Sequence, residues 1–339
     1  MAARPVEIDV PRILVTSRVF AETLARLREF GEVDANDSTT PLDYKSARAR
    51  AADADAMLAF MPDRVDAAFL AAAPKLKIVA CALKGFDNFD LAAAACAGVW
   101  VSAVPDLLTN PTAELAVGLA IALARKIRDG DEIVRSNRFE GWRPALYGTG
   151  LDGSTVTVVG MGAVGRAIVR RLSGFGCRLL GVDPGAEMPA NVQQAKLHDA
   201  LALSDFVLLA APLSAASRHM IGADAIARMK RCALLVNVGR GSVVSEAAVA
   251  DALEAGMLGG YAADVFEFED WALPSRPREV ELRLRTNANT LFTPHLGSAV
   301  ARVRQEIELQ AAENIGDVFA GRAPRHAVNS PAAIRKLAS

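Results

Sequence analysis

Thr155-Val156-Thr157-Val158-Val159-Gly160-Met161-Gly162-Ala163-Val164-Gly165 is the stretch on which the fold turns. Five β-favouring, mostly apolar residues run into G-x-G-x-x-G, and a helical pattern follows over Arg166 to Leu172. In that setting the first glycine permits a tight turn and the second lets a pyrophosphate approach the backbone. The third lets helix and strand pack closely, and the helix N-terminus offers amide donors to the anion. A further strand-like run, Cys177-Arg178-Leu179-Leu180-Gly181-Val182, ends in Asp183 and then Pro184. That acid stands about twenty residues beyond the motif, where a carboxylate accepts the ribose hydroxyls of NAD and repels the extra phosphate of NADP. NAD is therefore the expected cofactor.

Working outward, buried-strand patterns recur at Phe206 to Ala210, Ala233 to Asn237, Gly260 to Asp264 and Leu291 to Thr293. Upstream, Arg12 to Thr16, Ala56 to Phe60 and Leu76 to Ala80 read as strands, and Phe20 to Phe30 has helical spacing. Asn110-Pro111 opens a long apolar helix expected over Thr112 to Lys126, and a last helical pattern runs from about Arg302 to Gly321. Repeated βα units imply parallel sheets. The expected fold class is α/β with two doubly wound parallel-sheet domains. A Rossmann NAD-binding domain over 109–301 is inserted in a flavodoxin-like substrate domain built from 1–108 and 302–339.

Bulk properties agree with a two-domain enzyme and exclude other classes. A length of 339 residues exceeds the usual single core. Lys and Arg total 38 against 39 Asp and Glu, so no long-range field recruits nucleic acid or a membrane surface. Apolar residues make up 52% of the chain, but charges interrupt every stretch before membrane-spanning length. The start, MAARPVEIDVPRILVTSR, lacks the apolar core of an export signal, so a cytoplasmic protein is expected. Cys81, Cys96, Cys177 and Cys232 form no C-x-x-C pair and read as reduced, mostly buried thiols, with no metal site.

Three further segments stand just after strands, at the sheet end where open α/β folds bind ligands. Asn237-Val238-Gly239-Arg240-Gly241-Ser242 offers a guanidinium suited to gripping a carboxylate or phosphorus oxyanion with paired bonds. Asp264-Val265-Phe266-Glu267-Phe268-Glu269 and Thr293-Pro294-His295-Leu296-Gly297-Ser298 supply an acid and a histidine. A carboxylate that orients a histidine makes it a tuned proton carrier, and Glu269 is the candidate partner of His295. His198, His219 and His326 read as surface residues. No G-x-S-x-G elbow is present, which disfavours a serine hydrolase.

Taken in order, the glycine motif, Asp183, Asn237 to Ser242, Asp264 to Glu269 and Thr293 to Ser298 resemble the D-2-hydroxyacid dehydrogenase family, with Asn314 and Val328-Asn329 matching its tail. The resemblance implies that Arg240 binds the acid group of the substrate and that His295 and Glu269 transfer the proton. It implies cofactor contacts from Gly160, Gly162, Ala163, Val164, Gly165, Asp183, Pro184, Thr112, Pro212, Val238, Gly239, Asp264, His295 and Gly297. One departure is visible. The family usually has proline after the glutamate, and here Asp270 follows, so the loop through Trp271 is expected to differ in shape.

Within that family the first domain is similar to the phosphite dehydrogenases, through Ala59 to Asp66, Cys81 to Asp90, Gly98 to Trp100, Pro105 to Leu108, Tyr147 to Asp152 and Gly259 to Asp264. The informative residue is Lys84, where the hydroxyacid enzymes usually carry a small apolar residue. A second positive charge beside Arg240 suits a doubly charged phosphite better than a singly charged carboxylate. This likeness implies that Lys84 and Gly85 hold substrate, that Met61 lines its pocket, and that Ser298 and Arg304 support it. It also implies a homodimer whose interface includes the Thr112 to Lys126 helix, with Trp142 and Tyr147 reaching the partner's site. The reaction expected is NAD-dependent oxidation of phosphite to phosphate with attack of water. The alternatives are a D-2-hydroxyacid dehydrogenase or glyoxylate reductase, and a non-catalytic NAD-sensing protein akin to corepressors of this fold.

Overall fold

A computed structural model describes residues 10–335. The first nine residues, part of the stretch read above for an export signal, and the last four lie outside the described residues. The chain forms two compact units, one comprising the residues up to Leu108 together with those from Val300 onward, the other Thr109–Ala299.

The first unit begins with β1 (Arg12–Val15), α1 (Ala21–Arg28), β2 (Glu32–Ala35), α2 (Tyr44–Ala51) and β3 (Ala56–Ala59). It continues with α3 (Ala67–Ala72), β4 (Ile78–Cys81), α4 (Leu91–Cys96) and β5 (Trp100–Ser102). Its sheet runs β2-β1-β3-β4-β5, all parallel, with Leu14 opposite Met57 and Ala59 opposite Cys81. The strand order reverses between β1 and β3, the arrangement that leaves a crevice beyond the carboxyl ends of the strands. β3 and β4 are buried on both faces, which is why they read as unbroken apolar runs. Asp43, Asp66 and Asp90 accept amide hydrogens of Ser46, Phe69 and Ala93, starting α2, α3 and α4 with a cap worth about 1 kcal/mol each.

The second unit opens with α5 (Thr109–Ala124) and α6 (Ile127–Arg135), then β6 (Thr155–Val159), α7 (Ala163–Leu172), β7 (Arg178–Val182), β8 (Gln193–Gln194), α8 (Leu197–Leu203) and β9 (Phe206–Leu209). It closes with α9 (Ala223–Ile226), β10 (Leu234–Asn237), α10 (Glu246–Glu254), β11 (Gly260–Ala263), α11 (Leu282–Thr286) and β12 (Thr290–Phe292). Seven parallel strands run β12-β11-β10-β9-β6-β7-β8, a Rossmann order with the switch point between β6 and β9. α5 packs against α7, β10 and β11 through Ala113, Ala116, Val117 and Ala120, and so belongs to this unit's core.

α12 (Ala301–Phe319) then returns the chain to the first unit and packs on α1 and β4, with Ile307 and Ile315 fully buried beside Ile13 and Ile78. The tail is clamped by two asparagines. Asn314 accepts the amide of His326 at 3.1 Å, and Asn329 accepts from Val101 at 2.8 Å while donating to the carbonyl of Val99 at 2.9 Å.

Several expectations need correction. The helix expected over Thr112 to Lys126 is α5, Thr109–Ala124, and an unforeseen second helix, α6, follows from Lys126, whose left-handed conformation (φ +51°) marks its start. Only Cys81 among the cysteines is fully buried; Cys177 is half-buried, while Cys96, last in α4, and Cys232, in the turn before β10, are exposed. His326 is half-buried, its Nδ1 enclosed without a hydrogen-bond partner among the described residues. No helix among the described residues is long and apolar enough to cross a membrane.

Candidate active site

The turn after β6 is shaped as a phosphate cradle requires. Gly160 has φ +90°, and a Cβ there would come within 2.8 Å of the Ala210 carbonyl carbon and the Ala211 nitrogen. At Gly165 a Cβ would meet the Gly160 carbonyl oxygen at 1.9 Å, so the third glycine is what lets α7 sit on β6. Nothing lies within 4 Å of where a Gly162 Cβ would be, and Gly162 caps α7 with no side-chain bond to the helix amides. The donor set and the space before Gly162 therefore fit a dinucleotide pyrophosphate. Ala163 is exposed and Val164 half-buried at the start of α7.

Asp183, half-buried at the end of β7, accepts the amides of Met161 (2.8 Å), Gly185 (2.9 Å) and Ala186 (3.0 Å). These backbone donors, Met161 foremost, hold its carboxyl below the usual range and keep it ionised. One of its oxygens thus ties the glycine turn to the neighbouring strand. Pro184 is exposed beside it, as is Pro212 after β9.

Three loops follow adjacent strands of the same sheet. After β10, the fully buried Asn237 accepts the Gly239 amide at 3.1 Å and donates to the Arg240 carbonyl at 2.9 Å, setting the turn that carries Arg240. Gly239 is forced here, since a Cβ would meet the Ala211 carbonyl oxygen at 2.5 Å. Arg240 is half-buried and its Nη1 donates to the Gly239 carbonyl at 2.9 Å. Val238 is buried.

After β11, Asp264 is 1% exposed. One of its oxygens accepts from Thr293 Oγ1 and from the Leu296 amide, both at 2.6 Å; the other accepts the Gly297 amide at 2.8 Å. Burial pushes its carboxyl up, and these bonds oppose the shift. Asp264 is in effect the mould of the 293–297 turn after β12, in which His295 takes a left-handed conformation, φ +56°. Gly297 lies under Thr112, whose Oγ1 would be 3.1 Å from an added Cβ. Ser298 is buried.

His295 Nδ1 meets Glu269 Oε2 at 2.6 Å, and the other Glu269 oxygen accepts the Phe266 amide at 3.1 Å. The glutamate is thereby locked within its own 3-10 turn, Glu267–Glu269. With Glu269 ionised, Nδ1 carries the donated hydrogen, and Nε2 is the ring nitrogen outside this bond. Trp142 and Tyr147, by contrast, are 83% and 74% exposed on the loop after α6.

In the first unit, Met61, Lys84 and Asp106 stand at the carboxyl ends of β3, β4 and β5. Asn88 donates to the Met61 carbonyl at 2.8 Å. The buried Asp63 accepts the Phe60 amide at 2.7 Å and the Thr16 hydroxyl, and burial raises its pKa to about 6. Lys84 Nζ lies 3.3 Å from Asp106, a non-glycine residue at φ +64°. Gly85 is half-buried. Arg304, on α12, donates to the Ala82 carbonyl at 3.2 Å, lies over the Phe60 ring and is 4.0 Å from Glu308. Burial lowers the pKa of the arginine and raises that of the glutamate. Residues missed in the sequence reading are Asp63 and Asp106, whose side-chain partners Thr16 and Lys84 lie on other strand ends, and the buried anchor Asp270, which was seen only as a departure.

Comparison with known proteins follows the same lines. Residues 117–297 match the model of the D-isomer specific 2-hydroxyacid dehydrogenase, NAD binding domain. A glyoxylate reductase of Korarchaeum cryptofilum is 36% identical over 325 residues, 94% of this chain and 96% of that protein. One from Pyrococcus furiosus is 33% identical over 328 residues, 94% of this chain and 95% of its own. Among solved structures, a Thermus thermophilus protein superposes with a TM-score of 0.85 at 32% identity, covering 94% of this chain and 99% of its own. The Sinorhizobium meliloti NADPH-dependent glyoxylate/hydroxypyruvate reductase, solved with NADP and malonate, gives 0.83 at 28% identity, covering 97% and 99%.

Proposed function

Because this chain belongs to the D-isomer specific 2-hydroxyacid dehydrogenase family, we propose that it interconverts glyoxylate, or a related small 2-oxo acid, and the corresponding 2-hydroxy acid with NAD. The observation that carries this reading is the 2.6 Å His295–Glu269 pair standing in the same strand-end array as the glycine-flanked Arg240. The relatives at 32–36% identity over nearly the whole chain, named glyoxylate reductases, favour the same substrate class.

When bound, the nicotinamide supplies or accepts the hydride. The residues of this chain do the rest. The Gly160 to Gly165 turn and Asp183 would hold the dinucleotide, with Thr112, Val238, Gly239, Asp264 and Gly297 as further contacts. Arg240 grips the substrate carboxylate and fixes the face presented for transfer. His295 Nε2 gives its proton to the carbonyl oxygen as hydride reaches the carbonyl carbon, and takes it back in the oxidative direction. Glu269 keeps the ring in the orientation and tautomer this needs. Trp142 and Tyr147, too exposed for ordinary surface aromatics, are proposed to be covered by a second copy of the chain.

A second reading, oxidation of phosphite to phosphate, is favoured by Lys84. Its ammonium at the end of β4 would hold a phosphite oxygen together with Arg240, while His295 takes a proton from the attacking water as hydride leaves phosphorus. Initial rates by nicotinamide absorbance decide between the two, measured with glyoxylate and NADH and with phosphite and NAD side by side. Efficient glyoxylate reduction with inert phosphite supports the first reading. The reverse outcome overturns it in favour of the second.

A further inference from the structure

We propose that Asp270 is a positioning residue that holds the Arg240 loop in register with Glu269, so that the oxyanion grip and the proton-transfer pair keep a fixed spacing. The inference deepens the reading of this site and rests on Arg240 as the oxyanion ligand. Asp270 follows Glu269 directly, at the end of the Glu267–Glu269 turn, and is 2% exposed. Its Oδ2 accepts the Ser242 amide at 2.7 Å. Ser242 is itself buried, in the three-residue turn Gly241–Val243 that begins right after Arg240. An amide in the first turn of such a short helix has no acceptor within the helix, and here the Asp270 carboxylate supplies one.

The two loops are also in backbone contact. A Cβ at Gly241 would fall 1.9 Å from the Phe266 carbonyl carbon, so the arginine's loop lies flat against the strand exit that leads to Glu269. The segment beyond Asp270 is built to hold it. Leu273 donates its amide to the Asp270 carbonyl at 2.8 Å, while Arg276 donates to the Phe268 carbonyl at 2.7 Å and lies 4.2 Å over the Trp271 ring. A proline at 270 has no side-chain acceptor to offer Ser242. A carboxylate there adds a side-chain tie between the Arg240 loop and the Glu269 turn to the backbone contact, and a charged acceptor makes the stronger bond.

The test uses the full-length protein with NADH and oxalate, a small unreactive dianion. NADH fluorescence reports the NADH Kd and the oxalate Kd of the binary complex for the parent, Asp270→Ala, Asp270→Asn and Arg240→Ala; kcat and KM are measured in parallel for the substrate the parent turns over. Asp270→Ala is expected to weaken oxalate binding about tenfold and to raise KM more than it lowers kcat, with the NADH Kd within about twofold. Asp270→Asn keeps an acceptor and is expected to recover most of the loss. If Asp270→Ala fails to bind NADH, Asp270→Leu, similar in volume and without an acceptor, carries the same expectation.

Parent-like oxalate binding and KM in an Asp270→Ala or Asp270→Leu protein that binds NADH, with Arg240→Ala impaired, overturns the role of Asp270 alone. An Asn variant as impaired as Ala also overturns it. Unchanged oxalate binding in Arg240→Ala overturns the oxyanion reading itself.

Discussion

At the strand ends of the NAD-binding unit, Asp264 is 1% exposed and its two oxygens take three hydrogen bonds, whereas at those of the other unit Lys84 is 36% exposed and meets Asp106, itself 78% exposed, at 3.3 Å. The first arrangement is over-determined: turn, histidine, glutamate and arginine loop are each tied to a neighbour. The second is a loosely held charge. A proton-transfer geometry loses rate with small displacements and needs the rigid setting, while a charge that selects among anions works through a longer-ranged, more forgiving attraction. The proposed proton-transfer pair and arginine loop therefore lie in one tightly bonded unit, and Lys84, the side chain proposed to bias the choice of anion, is one that costs the fold little to change.

The largest effect expected follows from the rigid side. His295→Asn should lower kcat by about 10² to 10⁴, the usual contribution of a positioned acid or base, with NADH binding nearly unchanged. A variant within a few-fold of the parent in stopped-flow turnover would mean that the proton moves elsewhere.

Next comes the contrast itself. Lys84→Ala should leave the melting temperature almost unmoved, because an exposed pair of this kind contributes about 0–1 kcal/mol. If phosphite is the substrate, kcat/KM should fall about thirty-fold to several thousand-fold, the effect of truncating one member of a desolvated pair. On glyoxylate the fall should stay below about tenfold if Arg240 holds the carboxylate as proposed. Parallel kinetics on both substrates read out which unit carries selectivity.

Asp183→Ala tests whether the rigid pattern extends to the cofactor turn. Three amides lose their acceptor, so the NAD KM should rise about tenfold, while NADP, no longer repelled, should gain in relative efficiency. Equal losses for both cofactors would leave Asp183 as a turn anchor without a selective role.

The last effect, on stability and not on turnover, concerns the buried acid of the first unit. The folded pKa of Asp63 is raised from 3.8 to about 6, so its contribution to stability is full below 3.8 and is lost as pH rises through about 6. That shift corresponds to about 3 kcal/mol at most. Calorimetry between pH 4 and pH 8 should show Asp63→Asn gaining on the parent as pH rises, by a few degrees in Tm. A constant difference across that range would mean that Asp63 titrates normally.

Much of this was legible in the chain. β6, β7 and β10 are apolar runs closed by Gly, Asp or Asn, and the chemistry stands just past their ends, so Arg240, Glu269 and His295 could be read together. β2 was not seen because Glu32–Ala35 is a sheet-edge strand without a buried run, and β8 is two exposed glutamines. The helix after Lys126 escaped because none of Ile127–Arg135 is buried and lysine gives no signal for the left-handed residue that starts it. Contacts such as Lys84–Asp106 and Asp270–Ser242 join loops from different strands, and spacing along one sequence does not encode which loops meet.

The left-handed backbone at His295 has an evolutionary side. Asparagine and aspartate are the non-glycine residues that occupy this region most readily, and the codons of both lie one nucleotide away from those of histidine. On the proposed role of His295, the cheapest mutational exits from catalysis are thus also the ones the turn accepts with least strain. A lineage carrying such a change would keep its fold and its dinucleotide while losing turnover, which leaves a ready-made sensor of cellular redox state for selection to recruit.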